Sequence, residues 1–322
     1  MTTPMTADEL GRPRWDGRDG RLEVWYATAT DPASGTGLWI HHEFLATTDG
    51  RRLTHGWVAV FPPGAPALVE RFGPGDETPG TDGDWSATAE ARIGPGRLQG
   101  RTDTVFWDLT TADDAAPLFT FPSYVWRREL LPSAQVVPWP TARVTGRVHV
   151  DGRTIALDGA PGQVARIHGH GNAQRWGWLH ADLGDGDVLE VVAATGRRPA
   201  LRALPPKVFA QLRVDGVDWP ADPLVATASS SARLGLPRWW ARVTTARHRL
   251  RVGVRLPPVS SVTLEYRDPD GARASCTNSC VADAEIRLER RTPTGWRTER
   301  AWSLRATAHA ELGDRPPGGG HR

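Results

Sequence analysis

Turn signals recur along nearly the whole chain and leave only short extended segments between them, a spacing that leaves no room for a helical architecture. RLEVWYATAT alternates, with Leu22, Val24 and Tyr26 on one face and Glu23 and Trp25 on the other. TDPASGTG then reads as a turn. LWIHHEFLAT alternates again, setting Leu38, Ile40, His42 and Phe44 against Trp39, His41 and Glu43. Further strands are expected at HGWVAVF, ATAEARI, GRLQGRTDTVFWDLTT and PLFTFPSYVWRREL. LLPSAQVVPWPTA carries three prolines and reads as a joint. Beyond it, RVTGRVHVDGRTIAL is a hairpin turning at Asp151-Gly152. Strands then continue to AWSLRATAHAEL, and PKVFAQL is the one candidate short helix.

The expected fold is therefore all-β, with two tandem antiparallel β-barrels. Residues 1–20 form a flexible N-terminal segment, 21–140 the first barrel, 141–312 the second, and 313–322 a disordered tail. Strands with polar or aromatic residues on both faces suit a barrel whose lumen is a pocket. Fifteen tryptophans against three tyrosines and seven phenylalanines suit an apolar cavity. If Glu23 and Trp25 point inward, Trp39, His41 and Glu43 could share that lumen. The opposite assignment faces Leu22, Val24 and Tyr26 inward, and alternation alone does not choose between them.

GQVARIHGHGNAQRWGWLHADLGDG concentrates the remaining candidates. His168, His170 and His180 could form a three-histidine metal site, but no acidic residue at a familiar spacing supports one, so no metal is expected. The competing reading has His170, Asn172, Arg175 and Trp176 line a pocket mouth or the joint between barrels; a hydrogen-bonded structural loop is the third. A net charge of +2 gives no field for nucleic acid, and Arg247, Arg249, Arg251 and Arg255 read as a solvated strand face. The basic residues are nearly all arginine, with Lys207 the sole lysine. Cys276 and Cys280 are read as reduced core residues. No signal peptide or membrane-spanning run is visible, so a soluble cytoplasmic protein is expected. No Rossmann or Walker glycine loop and no G-x-S-x-G is present, so no cofactor and no hydrolase triad are expected.

LEVWYATATDPASGTGLWIHHEFL resembles the opening of the AttH / hydroxyneurosporene synthase (carotenoid hydratase) family, through Glu23, Trp25, Tyr26 and the glycine-ended turn. RVTGRVHVDGRTIALDG followed by RWGW resembles that family's second domain, through Thr145, Gly146, Gly152, Trp176 and Gly177. The resemblance implies tandem lipocalin-like barrels that handle extended apolar small molecules without a redox cofactor. It also implies an acid three positions before the Trp-Gly pair in carotenoid hydratases. Here that position is Ala173, which disfavours hydration.

The expected function is binding of an isoprenoid, polyketide or fatty-acyl-like molecule in a tryptophan-rich barrel pocket, as in secondary metabolism. Candidate ligand contacts are Trp25, Tyr26, Trp39, Trp107 and Trp126, joined by Asn172, Arg175, Trp176 and Trp178. The alternative is a cofactor-free cyclase or isomerase in the same pocket, with Glu23, Glu43, His41 and His170 as candidate catalytic groups.

Overall fold

The computed structural model describes residues 5–315. Twenty strands follow one another in two sheets. The first contains β1 (Arg21–Thr30), β2 (Gly37–Ala46), β3 (Arg52–Phe61), β4 (Leu68–Gly75), β5 (Ser86–Ala87), β6 (Ala91–Gly94), β7 (Arg97–Arg101), β8 (Val105–Ala112), β9 (Ser133–Val150) and β10 (Arg153–Gly169). The second contains β11 (Arg175–Gly184), β12 (Asp187–Thr195), β13 (Lys207–Val214), β14 (Val217–Trp219), β15 (Ser230–Arg233), β16 (Arg238–Thr244), β17 (His248–Arg255), β18 (Val262–Arg267), β19 (Arg273–Thr292) and β20 (Gly295–Asp314). The first sheet runs β4-β3-β2-β1-β10-β9-β8-β7-β6-β5, the second β14-β13-β12-β11-β20-β19-β17-β16-β15, with β18 beside β19. Three hairpins turn at Asp151-Gly152, Asp185-Gly186 and Asp215-Gly216, both residues of each pair having positive φ. Asp-Gly accepts that conformation at little cost, and its twist matches the flanking strands.

Each sheet curls on itself. In the first, the Thr104 hydroxyl donates to Glu70 Oε1 at 2.8 Å, tying the outer edge to the far end of the sheet. In the second, the Val208 N–H donates to Ser230 Oγ at 3.1 Å. Both interiors are filled cores. Trp25, Ile40, Phe44, Val58 and Trp107 pack in the first, and Leu179, Val191, Leu212, Trp239 and Ile286 in the second. Packed apolar side chains thus occupy the interiors where a pocket lumen was expected. A third buried cluster, with Tyr26, Trp39, Trp57, Trp176, Trp178 and Tyr266, joins the outer faces of the two barrels. The close approach is visible at Gly37, where an added Cβ would lie 2.8 Å from the Cys280 carbonyl oxygen.

Several expected elements are placed differently. The boundary at 140/141 falls inside β9, which pairs with both β8 and β10, so the first sheet extends to Gly169. PKVFAQL is strand: Val208, Ala210 and Leu212 alternate into the second core and pair with β12. The N-terminal segment is docked from residue 5. A short helix α1 (Ala7–Gly11) begins with a Thr6–Glu9 capping box. Its Leu10 is buried, and Gly11 accepts the Trp25 indole N–H at 2.6 Å. At the other end, Gly313 and Asp314 belong to β20 and Arg315 is buried, while 316–322 lie outside the described residues. No helix among the described residues is long and apolar enough to cross a membrane.

Candidate functional site

Between the barrels lies a cavity of about 320 Å³. The first barrel contributes Leu22, Val24 and Ile167; the second contributes Trp176, Trp178 and Phe209. Apolar walls with a few convergent polar groups are the usual form of a small-molecule site. The RWGW run explains one wall by alternation. Trp176 and Trp178 face the cavity, while Gly177 faces the core, where an added Cβ would meet Leu234 at 2.9 Å and Trp239 at 3.3 Å. A side chain at 177 would press on Leu234 and on the Trp239 ring.

Register settles which face of β1 and β2 meets the cavity. Val24 stands opposite Glu43 and Tyr26 opposite His41, while Glu23 stands opposite Phe44 and Trp25 opposite His42. Directly opposed residues share a face. Tyr26, His41 and Glu43 thus reach the cavity, and Glu23 and Trp25 turn into the first barrel.

Glu43 forms the acidic pole. It has no hydrogen-bond donor among the described residues, and its Oε2 lies 3.5 Å from His41 Nε2. His41 stacks on Trp57 at 3.9 Å between ring centroids. Burial pushes the Glu43 carboxyl up to about 8; Asp268 adds to the rise and Arg71 opposes it. Burial also holds His41 well below the usual imidazole range, with the neighbouring His55 and His42 next in effect. The contact is therefore between a neutral acid and a neutral base, not an ion pair. Asp268 itself is held by Arg197 at 2.9 Å, by Arg315, and by the Asn172 amide at 2.9 Å.

A second polar pole is built around Glu190. This carboxylate accepts from the Trp178 indole at 2.5 Å and from the Gln135 amide, and its Oε2 lies 3.0 Å from His180 Nδ1. Gln135 also donates to the Tyr26 hydroxyl oxygen at 3.0 Å. That leaves the Tyr26 proton without an acceptor among the described residues, free to donate into the cavity. Burial, with Glu190 and Glu311 adding to it, raises the Tyr26 phenol well above its usual value and keeps it neutral. Nearby, Glu311 accepts from Trp176 at 2.6 Å and Asn278 at 3.2 Å, and burial raises its carboxyl too.

Tyr26, Trp39, His41, Glu43, Asn172, Trp176 and Trp178 therefore meet at one cavity. The other candidates do not reach it. Glu23 is sealed in the first barrel, accepting from Arg166 at 2.7 Å and from the Arg14 backbone N–H at 2.7 Å. Trp25 lies under the Arg166 guanidinium at 4.8 Å, and Trp126 flanks the same guanidinium at 5.6 Å. Trp107 is core. His170 is exposed on the crossing between β10 and β11, and the half-exposed Arg175 pairs with Asp314 at 3.3 Å. The histidine triplet is dispersed: His168 is 3.6 Å from Glu23, His170 faces solvent, and His180 meets Glu190. Sequence reasoning missed Gln135, Glu190, Asn278 and Glu311. One carboxylate left a signal: Glu190 is an acidic residue inside the apolar run VLEVVAA, whereas Glu311 lies in a strand already rich in charge.

Fold and site together define a pair of lipocalin-like barrels with an apolar cavity between them. More narrowly, the tocopherol cyclase-like family profile matches residues 89–314, and the chain belongs to that family. The uncharacterized protein Rv0493c of Mycobacterium tuberculosis (strain ATCC 25618 / H37Rv) is 48% identical over 301 residues, covering 94% of this chain and 88% of that protein. CghA solved with Sch210972 superposes with a TM-score of 0.62 at 13% identity, over 92% of this chain and 88% of that one. A putative AttH from Nitrosomonas europaea gives 0.57 at 16% identity, over 91% and 92%. Kievitone hydratase from Nectria haematococca gives 0.56 at 10% identity, over 95% and 91%. At these identities the superpositions establish the shared fold.

Proposed function

We propose that the protein is a cofactor-free cyclase or isomerase that folds an extended apolar molecule between its barrels and starts the reaction with the Glu43 proton. The observation that carries this reading is the Glu43 carboxyl, raised to about 8 by burial and aimed into an apolar cavity beside a neutral His41. At neutral pH a carboxyl with that value is roughly nine-tenths protonated, so the acid is present in its donating form. The tocopherol cyclase-like family supports chemistry of this kind.

In the proposed step the Glu43 proton adds to a substrate double bond. The resulting cation is captured by a nucleophilic oxygen or carbon of the same molecule. The captured product then releases a proton to the Glu43 carboxylate, directly or through His41, from the oxygen if oxygen attacked or from the carbon beside the new cation if carbon did. Atoms and electrons balance within one substrate, so no co-reactant is needed. Tyr26 donates to a substrate oxygen and fixes the fold of the chain, and the tryptophan walls exclude water from the cation. Ala173 lines the same cavity, so Glu43 supplies from β2 the acid that Ala173 lacks.

The apolar walls also suit a carrier that binds without converting. One experiment separates the two. The compound that copurifies is identified by native mass spectrometry, and its precursor is incubated with apo protein and with Glu43→Gln. Conversion by the wild type and loss in the variant support catalysis. Tight binding with no conversion by either supports the carrier.

A further inference from the structure

Lys207 is the sole lysine of the 322-residue chain, and it stands on the rim of the inter-barrel cavity. It opens β13 and is exposed to solvent. The other rim cation, Arg197, is committed to Asp268 at 2.9 Å and to Asp270 at 2.7 Å. Lys207 has no acidic partner within 4.0 Å among the described residues. Around it the rim is apolar, with Leu201 at 42% and Leu204 at 50% exposure facing the opening. An unpaired ammonium at the mouth of a greasy cavity is the complement of an amphiphile, with the tail inside and the charged head outside.

We infer that the ligand of this cavity is an amphiphile with an anionic oxygen head, a carboxylate or a phosphate, held at the rim by Lys207. The inference rests on the inter-barrel cavity being the binding site. Lysine suits the task as a compact point charge on a flexible stem that can follow heads of different shape. Lys207 is exposed to solvent, so the contact is worth about threefold to tenfold in affinity and weakens as salt rises.

The test is a series of equal chain length: dodecanoate, dodecyl phosphate and dodecanol, each titrated below its aggregation threshold and followed by tryptophan fluorescence. The expected result is that one or both anions bind about threefold to tenfold tighter than dodecanol. Which anion is preferred identifies the head. The preference should vanish in Lys207→Gln, persist in Lys207→Arg, and shrink with added salt. Equal binding of all three by the wild type, or a preference that survives Lys207→Gln, overturns the anionic head while leaving the cavity reading intact. Failure of all three to bind overturns both.

Discussion

Glu23 and Glu43 lie on neighbouring strands of one sheet, both almost fully buried, yet on opposite faces. Glu23 points into the filled first barrel and meets Arg166 and a backbone N–H. Glu43 points into the cavity between barrels and meets His41, with no hydrogen-bond donor among the described residues. The interior of the barrel gives the Glu23 carboxyl donors that oppose the rise burial imposes on it, so the group is half of a structural pair with Arg166. The inter-barrel cavity leaves its carboxyl without donors, so the group holds a proton. Burial raises both carboxyls; hydrogen-bond donors oppose the rise at Glu23, and the charge of Arg71 opposes it at Glu43.

The largest expected effect tests the structural half of that contrast. Arg166→Leu strands Glu23 in the core and should cost about 3–5 kcal/mol in denaturant unfolding. Adding Glu23→Gln should recover much of it. A loss under about 1 kcal/mol would mean that the pair does not hold the barrel. Glu43→Gln tests the other half: fold and ligand affinity should survive while turnover falls about 10²-fold or more. Unchanged turnover would remove Glu43 from the chemistry.

The pH dependence sharpens the same contrast. The folded value of Glu43 lies above its unfolded one, so its contribution to stability is complete at acid pH and is lost as pH rises toward about 8. Wild type should therefore lose on the order of 2 kcal/mol relative to Glu43→Gln between pH 6 and pH 8. Parallel curves would contradict the raised value. His42 and His168, lowered to about 3 mainly by burial, act in the opposite sense: their contribution is lost as pH falls below the usual imidazole range. Trp178→Phe removes the indole donor from Glu190 and should cost about 1–2 kcal/mol, with a shift in the Tyr26–Gln135 pole visible as weaker ligand binding. His170→Ala, at an exposed crossing, should stay within about 0.5 kcal/mol and leave turnover unchanged.

Much of the fold was legible because β-strands announce themselves by period and turns by Asp-Gly pairs. The face of each strand was not. β2 is buried along its whole length, one face against the first core and the other against the second barrel. When both faces are apolar or aromatic, alternation gives the period but not the side, and a one-residue choice exchanges Glu23 for Glu43. The boundary was misplaced for a related reason. The prolines near residue 138 lie inside the long β9, and the second barrel begins only after the crossing at 170–174. Glu311 escaped notice because Trp176 lies 135 residues before it; Glu190 has near partners in Trp178 and His180, but Gln135, which ties it to the first barrel, lies 55 residues before it.

Infrared difference spectroscopy of wild type against Glu43→Gln measures directly whether Glu43 is a neutral acid in the cavity between the barrels. A protonated carboxyl band is expected at neutral pH, one that titrates away near 8 and shifts when a ligand enters the cavity. A carboxylate signature for Glu43 at neutral pH would contradict it.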